Sequence, residues 1–323
     1  MGQYLSANHI LILHPQELKE QWPDYLVKQD ILLYFDVNKL EFHMNMMIST
    51  EDKAFLKEEG YLVIKNFFDY EHDIAPIQEA IYGVIGLVAK RHGISLNREP
   101  FHKDTFDNGY NELFAIDRSY ASEIYDLVKQ IPSFLRLISN QKSDDVYREI
   151  RETNISGIGT GSYGIRIDNP SEDKFRSHWH QEFLWQPQSI DGLVFWTPLL
   201  AVTQDMGPVI ILPKSHKDGL CSYSRTATYA GKAGAYQIGI YKEDEVVSKY
   251  GQVAPLSEPG DLLLMDFLTI HGSGINRAIK SRWSIQNRFF NYEDPIGTQI
   301  GWKGSITGET QVEKVFPHNF IED

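Results

Sequence analysis

His178-Trp179-His180-Gln181-Glu182 sets a histidine and a carboxylate two residues apart, and His271-Gly272-Ser273-Gly274 supplies a second histidine far along the chain. On a β-strand, residues i and i+2 point to the same side. His180 and Glu182 can therefore face one point while Gln181 turns away. Two imidazoles and one carboxylate on one face of a metal, with the other face open, form the ligand set of a class of non-haem iron(II) sites. The fold must then bring His271 alongside on a neighbouring strand. His-x-Glu by itself is weak evidence, because a surface strand with one packed histidine has the same pattern, and His178 offers a competing pair with His180. Two further features strengthen the metal reading. The small residues after His271 allow close approach of backbone and ligands. Arg282 lies shortly beyond, and an arginine inside a barrel requires an anion, its forked guanidinium suiting a carboxylate.

The 323 residues suffice for one large domain or two modest ones with a substantial core. The 17 Phe, 17 Tyr and 6 Trp suit a β-rich protein lined by rings. A net charge of −13 gives no electrostatic footprint for nucleic acid. The single cysteine, Cys221, excludes an internal disulfide and a thiolate-rich metal site, and it fits a reducing compartment. No apolar run approaches the ~20 residues that span a bilayer. Ile10-Leu11-Ile12-Leu13 is too short for a signal-peptide core and lacks a basic lead. A soluble, cytoplasmic enzyme acting on a small molecule, with no membrane or nucleic-acid partner, is the expectation.

Along the chain, residues 1–48 carry no chemical motif and are expected to be an N-terminal extension packed on a main domain over 49–323. Ser49-Thr50-Glu51-Asp52 reads as a helix start and Gly60 as its stop. A strand is expected over 61–68. A helix is expected over about 74–91, with Ile77, Ala80, Ile81, Val84, Ile85 and Val88 at helical spacing. Residues 93–120 look irregular, and one further helix is expected over 121–139 despite Pro132. After about residue 150 come short β-type runs, over 161–167, 193–200, 209–212, 261–267 and 283–290, separated by turn residues. Residues 292–323 read as an irregular cover.

These motifs, taken together and in order, resemble the phytanoyl-CoA dioxygenase family of iron(II)- and 2-oxoglutarate-dependent oxygenases. The resemblance runs from Gly60-Tyr61-Leu62-Val63-Ile64 to about Asn291. It includes Trp179-His180-Gln181 with the acid after it, and Trp196-Thr197-Pro198-Leu199-Leu200. It continues through Asp205-Met206-Gly207-Pro208, the loop 212–219, Gly260-Asp261 and His271-Gly272-Ser273-Gly274-Ile275-Asn276-Arg277. It implies a mainly β fold, a double-stranded β-helix (jelly-roll) core with flanking N-terminal α-helices. It implies His180, Glu182 and His271 as ligands of Fe(II), and Arg282 as the holder of the distal carboxylate of 2-oxoglutarate. Ser273, Trp196 and Gln181 would line that co-substrate's pocket. The implied reaction consumes O2 and 2-oxoglutarate, releases succinate and CO2, and hydroxylates a C–H bond. The family usually carries aspartate at the position of Glu182; a glutamate, one methylene longer, keeps the carboxylate chemistry if its backbone sits further away.

Other readings stay open at this point. Arg166, on the strand before the metal motif, fits either a co-substrate or substrate contact or the rim. His216 fits a structural loop residue. The same barrel can serve as a non-catalytic binding module, or as a cupin-type isomerase or hydrolase with no need of Arg282. Residues 93–120 and 220–250 are the expected specificity segments, and the loops 213–224 and 228–250 are expected to close the mouth.

Overall fold

The computed structural model describes residues 47–159, 161–224, 238–304 and 312–321. The expected N-terminal extension lies outside these residues apart from Met47 and Ile48, and so does the part of the 228–250 loop ahead of Ile238.

The first helix, α1 (Thr50–Glu59), begins and ends where the sequence predicts. The Ser49 hydroxyl accepts from the Asp52 amide at 3.0 Å, and Gly60 turns left-handed at φ 80° while its N–H returns to Leu56. β1 (Tyr61–Ile64) is shorter than expected. Asn66 takes φ 51° and gives its N–H to the Asp261 carboxylate, to which Lys65 also pairs at 2.7 Å, so the strand ends there. α2 (Ala75–Arg91) buries Ile77, Ile81, Ile85 and Val88, the stripe its spacing predicts.

The stretch 93–120 is not wholly irregular, for it contains α3 (Tyr110–Ile116). The single helix expected over 121–139 is two, α4 (Arg118–Val128) and α5 (Pro132–Ile138). A proline forces its predecessor out of the helical region, and Ile131 sits extended at ψ 124°. α6 (Gln141–Arg151), capped by Asn140, escaped the sequence reading because it buries only Ser143, Val146 and Tyr147.

Beyond α6 the chain is β-rich. The strands are β2 (Ser156–Ile158), β3 (Gly164–Asp168), β4 (Leu193–Pro198), β5 (Val209–Ile211), β6 (Tyr223–Ser224), β7 (Gly239–Ile240), β8 (Leu262–Asp266), β9 (His271–Ser273), β10 (Arg282–Asn291) and β11 (Phe320–Ile321). The main sheet runs β1-β8-β4-β10-β2, with β3 beside β2 along the same edge of β10, and every pairing in it is antiparallel. A smaller sheet pairs β5 with β9 and is extended by bridges from His271 to His180 and from Ile211 to Val253. β11, β6 and β7 form a third, three-stranded sheet.

The strict alternation of side chains sorts the main sheet's two faces. Leu193, Phe195, Leu262, Leu264, Trp283, Ile285 and Phe289 pack on one face against α2, α4, α5 and α6. Val194, Trp196, Leu263 and Met265 point the other way and share a second core with Val209, Ile211 and Ile270. Helices outside, small sheet opposite: this is the double-stranded β-helix with N-terminal helical cover. Along β10 the inward set is Arg282, Ser284, Gln286 and Arg288, so the longest strand lays a polar row between the two sheets. No helix among the described residues is long and apolar enough to cross a membrane.

The chain entering β5 passes close to the chain leaving β9 at Gly207, which adopts φ 65°; a Cβ there would lie 2.5 Å from the carbonyl oxygen of Gly274. Gly207→Ala adds left-handed strain to a backbone clash, and is expected to cost about 3 kcal/mol. At this chain length that corresponds to a drop of roughly 5–10 °C in Tm, readable by circular dichroism. An unchanged Tm would contradict the close approach.

Candidate active site

His180 and His271 face each other across an antiparallel bridge. His180 N–H donates to the His271 carbonyl at 3.0 Å and His271 N–H to the His180 carbonyl at 3.1 Å, which leaves the ring centroids 4.3 Å apart. Gln181 continues extended, but the strand stops there. Glu182 opens a 3₁₀ turn, Glu182–Leu184, instead of extending the strand as the sequence suggested. Because Gln181 is extended, the i, i+2 relation survives and Glu182 still joins the histidines. One donor atom from each of His180, Glu182 and His271 lies within 4.8 Å of the others, and they form the one such group of three among the described residues.

Each ring's Nδ1 faces a carbonyl, of His178 at 2.7 Å and of Thr269 at 2.9 Å. A carbonyl only accepts, so both Nδ1 atoms carry a proton, and Nε2 is the ring atom each histidine keeps for a metal. Those two Nε2 atoms each lie 3.7 Å from the same oxygen, Oε2 of Glu182. Burial, then the neighbouring His180, pushes His271 down to about 3, so the ring is neutral over the physiological range. Burial alone would raise the Glu182 carboxyl, but the neighbouring Arg288 guanidinium works the other way and the group is held well below the usual carboxylate range. Three donor atoms thus converge, Glu182 and His271 buried and His180 partly so. Two imidazoles with a carboxylate on one face suit iron(II). Outer partners on both Nδ1 atoms are the usual means of fixing such ligands.

The cavity holding these groups has a volume of about 550 Å³ and lies between the two sheets. Arg282, fully buried, donates through Nη1 to the Gly207 carbonyl, and through Nη2 to Asp168 at 2.8 Å and to the Ser273 hydroxyl at 3.1 Å. That uses three of its five N–H groups, and its buried Nε has no partner among the described residues. Asp168 also receives Arg166, whose Nη2 lies 2.7 Å from Oδ1. Burial works to raise the Asp168 carboxyl, yet Arg166 and Arg282 together bring it down to about 2. Asp168→Ala removes the counter-ion of a buried guanidinium, with an expected cost of about 3–5 kcal/mol. A Tm within a few degrees of wild type would rule that role out.

Of the residues singled out from sequence, His180, Glu182, His271, Arg282, Ser273, Trp196 and Arg166 all line this cavity. Gln181 does not, and its expected place in the co-substrate pocket is withdrawn. Its Nε2 donates to the carbonyls of Gly219 and Leu268, and its Oε1 accepts from the Cys221 amide and the Tyr223 hydroxyl. With its amide saturated, Gln181 braces the loop behind the metal group. His178 falls outside the metal group and contributes its carbonyl to His180, while Nε2 of His216 bonds the Lys57 carbonyl near the end of α1.

Sequence reading missed Arg288, whose Nε is 3.1 Å from Glu182 Oε1, although the i+2 row from Arg282 could have flagged it. It also missed the outer wall, formed by Arg118, Ser122, Tyr125 and Asp126 on the polar face of α4. On the apolar face of that helix Ile124 and Val128 are fully buried, whereas Leu127 is exposed.

The family profile described as phytanoyl-CoA dioxygenase (PhyH) matches residues 56–284, well over half of the chain. The chain belongs to the phytanoyl-CoA dioxygenase family. Among curated relatives, an ectoine dioxygenase from Sphingopyxis alaskensis is 25% identical over 242 residues, 71% of each chain. A probable phytanoyl-CoA dioxygenase from Caenorhabditis elegans is 22% identical over 287 residues, 83% of each. Among solved structures, EctD from S. alaskensis with 2-oxoglutarate and 5-hydroxyectoine superposes with a TM-score of 0.52 at 19% identity, covering 78% of this chain and 79% of that one. Family membership and the converging donor set together make this chain a 2-oxoglutarate-dependent non-haem iron dioxygenase, with iron and 2-oxoglutarate as cofactors.

Proposed function

We propose that this family member hydroxylates an unactivated C–H bond of a small-molecule metabolite, with His180, Glu182 and His271 holding the iron and Arg282 gripping the distal carboxylate of 2-oxoglutarate. The observation that carries the assignment is the meeting of two Nε2 atoms and one carboxylate oxygen in a cavity that also exposes a buried arginine. Iron and 2-oxoglutarate, when bound, supply the oxidising chemistry: cleavage of O2 coupled to decarboxylation to succinate and CO2.

The protein's own residues do the placing. The His178 and Thr269 carbonyls fix both imidazoles as Nε2 donors. Arg282, with two N–H groups to spare, supplies charge and direction for a carboxylate, and Ser273 and Trp196 wall the same region. Val194, Val209 and Met265 make the wall apolar and limit water there. Towards the mouth, Arg118 is paired with Glu172 at 2.9 Å and stacked over Phe175 at 4.5 Å, so α4 with the 172–175 turn forms the wall a substrate would meet. About 550 Å³ is the size of a metabolite site rather than a polypeptide groove. We also assign residues 49–323 as the oxygenase domain and place the enzyme in the cytoplasm, since a chain with one cysteine suits a reducing compartment.

Anaerobic addition of Fe(II) and 2-oxoglutarate should produce a weak visible charge-transfer band. Under ¹⁸O2, a screen of candidate compounds should find one that stimulates succinate release and gains labelled oxygen as an alcohol. A band with succinate release but no labelled alcohol from the turned-over compound would sink the hydroxylation assignment. No band at all would sink the ligand assignment.

A further inference from the structure

We propose that Arg288 is a positioning residue that holds Glu182 to one-oxygen coordination of the metal. The inference rests on the ligand set proposed above and extends it to a residue outside that set. Arg288 sits six positions beyond Arg282 on the same inward row of β10, and its guanidinium forms an ion pair with the Glu182 carboxylate whose closest approach is to Oε1. Nε is 3.1 Å from Oε1 and Nη2 is 3.3 Å from Oε2. The guanidinium is itself anchored, by Nη1 to the Ser162 carbonyl at 2.9 Å and by Nη2 to Gln286 Oε1 at 3.0 Å.

A carboxylate that chelates a metal uses the lone pairs on the inner side of both its oxygens. A guanidinium drawn closest to Oε1 competes with a metal for that oxygen. With Oε1 held nearest to Arg288, Oε2 is the oxygen turned to the histidines, 3.7 Å from each Nε2. The consequence is for the open face. Three single-atom donors leave three positions for the keto acid and O2, whereas a chelating carboxylate would take one of them. The arrangement also gives the extra methylene of Glu182 a use. The side chain starts from a 3₁₀ turn rather than a strand, and it reaches Arg288 and the two imidazoles at once.

Cobalt(II) titration of the apo chain tests this without turnover, by affinity and by the d–d absorption that reports coordination. Arg288→Gln is expected to weaken Co(II) binding about 10–100-fold, the usual loss for an outer partner of a metal ligand, and to alter the d–d band shape. In a Glu182→Gln background the same Arg288→Gln change should have no further effect, because the carboxylate it acts through is gone. Equal losses in both backgrounds would overturn the proposal, as would an Arg288→Gln protein with wild-type affinity and spectrum. A melting curve of each apo protein separates misfolding from site effects, and Arg288→Lys, which keeps the charge without the fork, should recover affinity but not the wild-type band shape. His180→Ala serves as the control for the underlying ligand assignment. If it binds Co(II) like wild type, that assignment fails; if it loses Co(II) while Arg288→Gln does not, the positioning role alone fails.

Discussion

His271→Ala is expected to abolish iron uptake and oxygen-dependent succinate formation, with metal affinity falling well beyond the ~10–100-fold of an outer-partner change. The size of the effect follows from the geometry. His271 supplies one of the three converging donors, and its ring is held as an Nε2 donor by the Thr269 carbonyl. Its backbone, which carries the reciprocal bridge to His180, is untouched by the substitution, so the fold should survive. Fe(II) binding by calorimetry and the anaerobic charge-transfer band are the direct measurements. A His271→Ala protein that still develops the band with Fe(II) and 2-oxoglutarate would remove this histidine from the site.

Arg282→Ala should leave metal uptake intact and raise the 2-oxoglutarate KM by roughly 30–1000-fold, the loss of a buried charge-assisted pairing worth about 2–4 kcal/mol. Arg282→Lys keeps the charge but loses the fork, and should recover only part of the affinity. The guanidinium is also structural, since it ties β10 to β3 through Asp168 and to the Gly207 turn. The alanine variant is therefore expected to melt at a lower temperature as well, and the lysine variant less so. The readout is the dissociation constant for 2-oxoglutarate in the anaerobic Fe(II) complex, measured below the melting transition. An unchanged value would place the co-substrate elsewhere in the cavity.

Much of the site was legible because its pieces obey local rules. His180 and Glu182 share a side through the two-residue spacing even though the strand breaks between them. Gly207 and the small residues after His271 stand where two backbones nearly touch. Gln181 was misread because proximity in sequence to a ligand says nothing about which partners its amide finds, and polar groups of Gly219, Cys221, Tyr223 and Leu268 took it. Arg288 was overlooked because a second arginine on a strand looks like any charged residue until the strand's inward face is known. The helix over 121–139 was drawn unbroken because its apolar stripe persists through Pro132, while the proline's hold on Ile131 cuts the backbone there.

The sequence alone determined the donor types, the alternation of each strand and the caps of α1. These depend on neighbours two to four residues away, where backbone geometry leaves little freedom. Only the tertiary structure decided that His180 sits opposite His271, that the polar face of α4 walls the cavity, and that Arg288 meets Glu182. Each of those pairings joins segments far apart in the chain, and its register is set by how two sheets and a layer of helices exclude water together, a balance that no short stretch of sequence contains.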